Sequence, residues 1–187
     1  MAVTYTSRGY PRYDVNEAPA GHTQETALAN AVNADVEAVD TAQSLIGSQC
    51  RQYLTAGNSS ATTQMLPAFD AATKTTQGGL TWSTNAGGIY TPRAGMYTVA
   101  MSISFPGASN PWDGRIGVGL WNATTSSGVW DMWYGRIGGT QKATIAGIPW
   151  YFAASTLLRI QIWWISGATG IAWDTSSWMS VTYSGLG

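Results

Sequence analysis

The sequence is poor in the residues from which most active sites are built. It contains one cysteine, Cys50, and one histidine, His22. A lone cysteine excludes an intramolecular disulfide and any cysteine-based zinc cluster, and a lone histidine excludes metal sites of the H-E-x-x-H kind. Charge is equally scarce. Of 187 residues, 10% are charged, against roughly 25% in typical soluble proteins. Nine basic and ten acidic residues leave a net charge of −1. The basic footprint that neutralises phosphates is therefore missing, and no nucleic-acid partner is expected. Long apolar runs are also lacking: the longest weakly polar stretch, Ala143 to Ala154, includes Thr144 and Pro149. A bilayer crossing needs about 20 apolar residues, so no membrane insertion is expected. The opening Met1-Ala-Val-Thr-Tyr-Thr-Ser-Arg-Gly has no apolar core behind a basic stretch. No secretory signal is visible there, and the chain is expected to fold in a cytosol.

What is present divides the chain in two. All ten tryptophans lie between Trp82 and Trp178, and every glutamate (Glu17, Glu25, Glu37) lies before residue 38. Up to residue 75 there are four basic against seven acidic residues; beyond it, five basic against three acidic. So little charge on a chain with 44% hydrophobic residues gives copies little mutual repulsion, and burial of uncharged surface between copies is expected.

Residues 1–22 contain Gly9-Tyr10-Pro11 and Ala18-Pro19-Ala20-Gly21, which interrupt any helix or inner strand and predict an extended attachment arm. A helix is predicted over 23–47. Thr23 suits the N-cap, Glu25 the first turn and Gly47 the C-terminal stop. Its larger apolar residues, Leu28, Val32, Val36, Val39, Leu45 and Ile46, form a narrow stripe at spacings of three and four. Val32, Val39 and Ile46 recur every seven residues. The stripe fits either a helix packed on its own domain or a short parallel coiled coil, whose seam has this heptad form. Residues 48–64, with Gly57-Asn58-Ser59-Ser60, read as a linker.

From about residue 65 to 187 the apolar period becomes two. Tyr97, Val99, Met101, Ile103 and Phe105 alternate with Thr98, Ala100, Ser102 and Ser104. Ile116, Val118 and Leu120 alternate with Gly117, Gly119 and Trp121. Leu158, Ile160, Ile162 and Trp164 alternate with Arg159, Gln161 and Trp163. Met179, Val181 and Tyr183 alternate with Ser180 and Thr182. With glycine-rich turns between these runs, the expectation is a mainly β chain, a jelly-roll β-sandwich head behind an arm and a short helix.

Chemistry is hard to assemble from this inventory. His22 lies in the arm, away from any domain that holds a Ser-His-Asp set, and Cys50 reads as a small buried hydrophobe. The head offers three carboxylates, Asp113, Asp131 and Asp174, for the pair that glycoside hydrolysis needs or for calcium. Gly114-Arg-Ile-Gly-Val-Gly is a strand, not a phosphate loop. No catalytic, cofactor or metal residue is assigned. Trp82, Trp121, Trp163 and Trp164 read as core or interface. Trp112, Trp130, Asp131, Trp133 and Trp173 pair aromatic rings with aspartate, a combination that suits either a glycan or a protein partner.

The stretch Pro92-Arg93-Ala94-Gly95-Met96-Tyr97-Thr98-Val99 resembles the strand opening P-x-x-G-x-Y of tumour-necrosis-factor-like and complement-type globular heads. Trp178-Met179-Ser180-Val181-Thr182-Tyr183-Ser184-Gly185-Leu186 is similar to their closing strand, although Met179 and Val181 depart from its usual ending. The first part of the chain, with Thr6-Ser7-Arg8-Gly9-Tyr10-Pro11, Ala18-Pro19 and Leu28-Ala29-Asn30-Ala31, resembles the start of small minor tail and decoration proteins of phages. These resemblances imply a homotrimeric, non-enzymatic virion protein. It would have a trimeric coiled-coil stalk through Leu28, Val32, Val36, Val39 and Ile46, and residues 1–22 on capsid or tail proteins. A head with a three-fold axis would raise the effective concentration of the helices and let a weak coil form. The alternative implied is a carbohydrate-binding adhesin for a bacterial surface.

Overall fold

The computed structural model describes residues 4–5, 11–12, 22–59, 64–106, 116–134, 141–164 and 171–186. The chain divides into two compact units, Met1–Ser44 and Leu45–Gly187.

In the first unit most of the arm expected over residues 1–22 lies outside the described residues. Strands β1 (Thr4–Tyr5) and β2 (Pro11–Arg12) pair antiparallel, Thr4 opposite Arg12. Helix α1 follows as His22–Leu45, 24 residues with Glu25 in the first turn. It starts one residue before the expected position. Gly47, at φ +83, supplies the left-handed turn that stops it.

The second unit is a sandwich of two five-stranded antiparallel sheets. Its strands are β3 (Gln49–Leu54), β4 (Gly57–Ser59), β5 (Phe69–Gln77), β6 (Ser83–Asn85), β7 (Gly88–Tyr90) and β8 (Gly95–Phe105). They continue as β9 (Ile116–Asn122), β10 (Ser127–Tyr134), β11 (Gln141–Phe152), β12 (Leu157–Trp164), β13 (Ile171–Trp173) and β14 (Trp178–Gly185). One sheet has the order β10-β9-β12-β7-β6 and the other β11-β8-β14-β3-β5; β4 and β13 form a small extra pair. The partnerships β3 with β14, β7 with β12, β8 with β11 and β9 with β10 are nested along the chain. That nesting is a long antiparallel ribbon rolled into two sheets, the jelly roll expected of this alternation.

All four predicted alternations have their described apolar members in the core. Tyr97, Val99, Met101, Ile103, Ile116, Val118, Leu120, Leu158, Ile160, Ile162, Met179, Val181 and Tyr183 are buried between the sheets, and so is Cys50. The linker expected over 48–64 is corrected. Gln49–Leu54 is strand β3, hydrogen-bonded between β14 and β5, so the sandwich starts well before residue 65. Cys50, Gln52 and Leu54 face inward. Gln52 disguises that pattern, because its side-chain amide is buried only by donating to the carbonyls of Asp70 (3.2 Å) and Asn85 (3.1 Å). After residue 64 the chain lies along β12, Met65 exchanging backbone hydrogen bonds with Ile162.

Strand β11 carries a bulge. Ile145 stands opposite Met101 and Ile148 opposite Val99, so the residues between include one extra. Gly147 takes φ +71 there. A β11 without that extra residue would turn Pro149 and Tyr151 toward the core; with it, Trp150 stands opposite Tyr97 and Phe152 opposite Gly95. Pro149, which has no N–H to give, fits because β11 is an edge strand.

Candidate functional site

The stripe on α1 is a surface feature. Leu28 and Val32 are each 41% exposed, Val36 52% and Val39 55%; Ile46, just beyond the helix, is also exposed. Leu45 is partly buried and belongs to the apolar core of the sandwich. Helix propensity from the alanines explains why the segment is helical, but no residue of the stripe is buried within the single chain.

The motif Pro92-x-x-Gly95-x-Tyr97 is structural. Tyr97 lies buried between Tyr183, Trp82 and Phe152, with ring centroids 5.3, 6.1 and 6.2 Å away. Its hydroxyl donates to the Arg93 carbonyl at 2.6 Å and accepts from the Arg93 N–H at 3.3 Å. Gly95 has φ +153, and a Cβ there would lie 2.5 Å from the Gly185 carbonyl oxygen and 2.7 Å from the Tyr183 ring. A turn that brings backbone this close to backbone requires glycine. Arg93 in turn rests over the Tyr183 ring at 5.5 Å.

Of the aromatic–aspartate candidates, Trp173 is the one whose side chain lies among the described residues. Trp173 is buried, donates its indole N–H to the Thr55 carbonyl at 2.9 Å and covers Gly57, its partner across β4–β13. It closes the sandwich and offers no ring to a ligand. Asp174 is a turn-forming residue. Its carboxylate accepts from the Ser176 hydroxyl (2.6 Å), the Ser176 N–H (2.8 Å) and the Ser104 hydroxyl (2.8 Å). Burial pushes its pKa up, but the Ser176 and Ser104 bonds and the charge of Lys142 outweigh that and hold it below the usual carboxylate range. The carboxylate is thus engaged by its own turn. Trp112 and Asp113 lie outside the described residues. Trp130, Asp131 and Trp133 fall in β10, opposite Leu120, Gly119 and Gly117 respectively; their side chains lie outside the description, as does that of Trp164. Of the tryptophans read as core or interface, Trp82 is buried and Trp121 and Trp163 are half-buried. Among the described residues no group of three metal-ligating side chains occurs.

One pair of aromatic residues escaped the sequence reading. Trp150 and Tyr151, at the end of β11, are 46% and 54% exposed. They line a cleft of about 300 Å³ whose opposite wall is the β9–β10 turn, with Asn122, Thr124, Thr125 and Ser127. The turn is tightly held: Ala123 and Leu157 share a 2.8 Å backbone bond, and the Leu157 N–H donates to the Thr124 hydroxyl at 2.9 Å. Pro149, an edge-strand signal beside two aromatic residues, marks the place in the sequence.

No family model and no curated protein matches the sequence. Among solved structures, the crystal structure of murine APRIL at pH 8.5 is similar, with a TM-score of 0.48 and 6% sequence identity, covering 72% of this chain and 98% of that one.

Proposed function

We propose that the protein is a non-enzymatic structural component of a bacteriophage particle, a homotrimer built as a minor tail or fibre protein or as a head decoration. Three α1 helices join through Leu28, Val32, Val36 and Val39, with Ile46 closing the seam, into a short stalk that precedes the jelly-roll heads in the chain. Residues 1–22 attach the stalk to capsid or tail proteins. The observation that carries the reading is the exposed stripe: four apolar side chains on one 24-residue helix, each 41–55% exposed. Exposed side chains at heptad spacing gain most by burial against copies of themselves. The outward face of β8 and β14 carries Thr98, Ala100, Ser102, Ser180 and Thr182 beside Met96 and Trp178, and none of these residues is charged. The virion setting rests on the sequence resemblances of the arm and helix. Native mass spectrometry is the test, with a mass three times 19.9 kDa expected; a stable monomer at micromolar concentration overturns the reading. Gold-labelled antibody on intact particles then locates the protein.

A further inference from the structure

We propose that the cleft between the β9–β10 turn and the end of β11 binds a neutral saccharide, with Trp150 as the stacking platform and Asn122, Thr125 and Ser127 as the hydrogen-bonding wall. Four features of the cleft support this.

None of its lining residues is charged. Nothing there offsets the desolvation of a phosphate, sulfate, carboxylate or ammonium group, so an ionic ligand loses hydration without compensation. The cleft also has two chemically distinct walls. One presents the Trp150 ring, 46% exposed, to water, a costly arrangement unless another flat apolar surface covers it. The other presents hydroxyls and an amide. Thr125 and Ser127 are 2.7 Å apart, Oγ to Oγ, so one donates to the other and both keep lone pairs for a ligand. Asn122 gives its side-chain oxygen to the N–H groups of Thr124 and Thr125. Its NH₂ end is what remains for a ligand. A pyranose matches both walls, with an apolar C–H face and a rim of hydroxyls that donate and accept.

The third feature is size. About 300 Å³ is the lower end of the range for small-ligand sites, roughly 300–1,000 Å³. A stable contact between proteins would instead bury about 800 Å² on each partner, and its core would be depleted in serine. The fourth is rigidity. The turn is tied to β12 through Leu157, and Trp150 and Phe152 are placed by the β11 bulge, so the walls exist before any ligand arrives.

The test uses the full chain on an array of neutral hexose and N-acetylhexosamine oligosaccharides, with sialylated and sulfated ones alongside. The best-retained sugar is then titrated in solution by calorimetry. Retention confined to neutral sugars is expected. Trp150→Ala should weaken binding at least about tenfold, as truncating an aromatic anchor does, whereas Tyr151→Ala, on the opposite face of β11, should leave it unchanged. Thr125→Val, which keeps the shape of the turn, should weaken it severalfold with the thermal midpoint unchanged. The proposal is overturned if no neutral sugar is retained, if charged sugars bind equally well, or if Trp150→Ala leaves the affinity unchanged. A fall in assembly mass on Trp150→Ala overturns it too, making the cleft a contact between copies. A monomer that still binds sugar removes the trimeric stalk and leaves this site standing, so the two proposals fail separately.

Discussion

The hydroxyl of Tyr97 donates a 2.6 Å hydrogen bond to the carbonyl oxygen of Arg93, four residues earlier in the chain. The bond clamps the Pro92–Gly95 turn onto the ring cluster at the centre of the sandwich, where Tyr97 packs edge-on against Tyr183. A motif that reads like a family signature is thus a local solution to entering a long inner strand from a tight turn.

Tyr97→Phe keeps the ring and removes the bond. Unfolding free energy should fall by roughly 1–2 kcal/mol, the cost of an unpaired group at a part-buried site. Gly95→Ala should cost more, because its Cβ would meet backbone rather than a movable side chain. Urea unfolding checks both; an unchanged midpoint for Tyr97→Phe would show that water replaces the phenol.

Alkaline pH should weaken the fold through Cys50. Burial pushes its thiol from 9.0 up to about 11, against the pull of Lys74. A folded-state pKa above the unfolded value means the native state holds the proton more tightly. Stability from this group is therefore complete below pH 9 and lost as pH rises from 9 toward 11. Tyr97, raised by burial above its ordinary 10.0, extends the loss to higher pH. Unfolding midpoints measured from pH 7 to 11 should be flat and then fall, and Cys50→Ala should remove the earlier part of the fall. At pH 8 a thiol reagent should modify Cys50 only after denaturation.

Gly57→Ala should loosen the β4–β13 edge. The added Cβ would lie 2.7 Å from the Trp173 ring, so the indole must shift and its bond to Thr55 lengthens. A loss of about 1–3 kcal/mol is expected, the usual cost of overpacking. Trp173→Phe should also destabilise the head yet leave saccharide affinity unchanged, as measured by the same calorimetry.

Val32→Asp combined with Val39→Asp places two charges on the exposed α1 stripe. Native mass spectrometry should show the share of trimer falling in favour of the 19.9 kDa chain, while the thermal transition of the jelly roll remains. A mass unaffected by both charges would locate the association elsewhere than in the helix.

The long strands were legible because a half-buried strand alternates with period two, and β8, β9, β12 and β14 do so with few exceptions. Strand β3 was hidden by Gln52, a polar residue whose burial depends on carbonyls of Asp70 and Asn85 that are remote in sequence. Trp173 and Asp174 looked like a ligand-binding pair because composition does not distinguish a ring that covers Gly57 from one that faces water. Trp150 and Tyr151 lay in a run read only for its length.

Alternation, propensity and the scarcity of charge are local or additive properties, so the order of residues alone determined a mainly β head behind an alanine-rich helix, and which side of each long strand is apolar. Tertiary structure decided which rings are covered. Trp173 is buried because Gly57 is brought beneath it across a strand pair, and Trp150 is exposed because β11 ends at the open edge of its sheet, beyond a bulge that shifts its register against β8. Burial depends on what the other strands bring to a position, and that is settled only when the ribbon has rolled up.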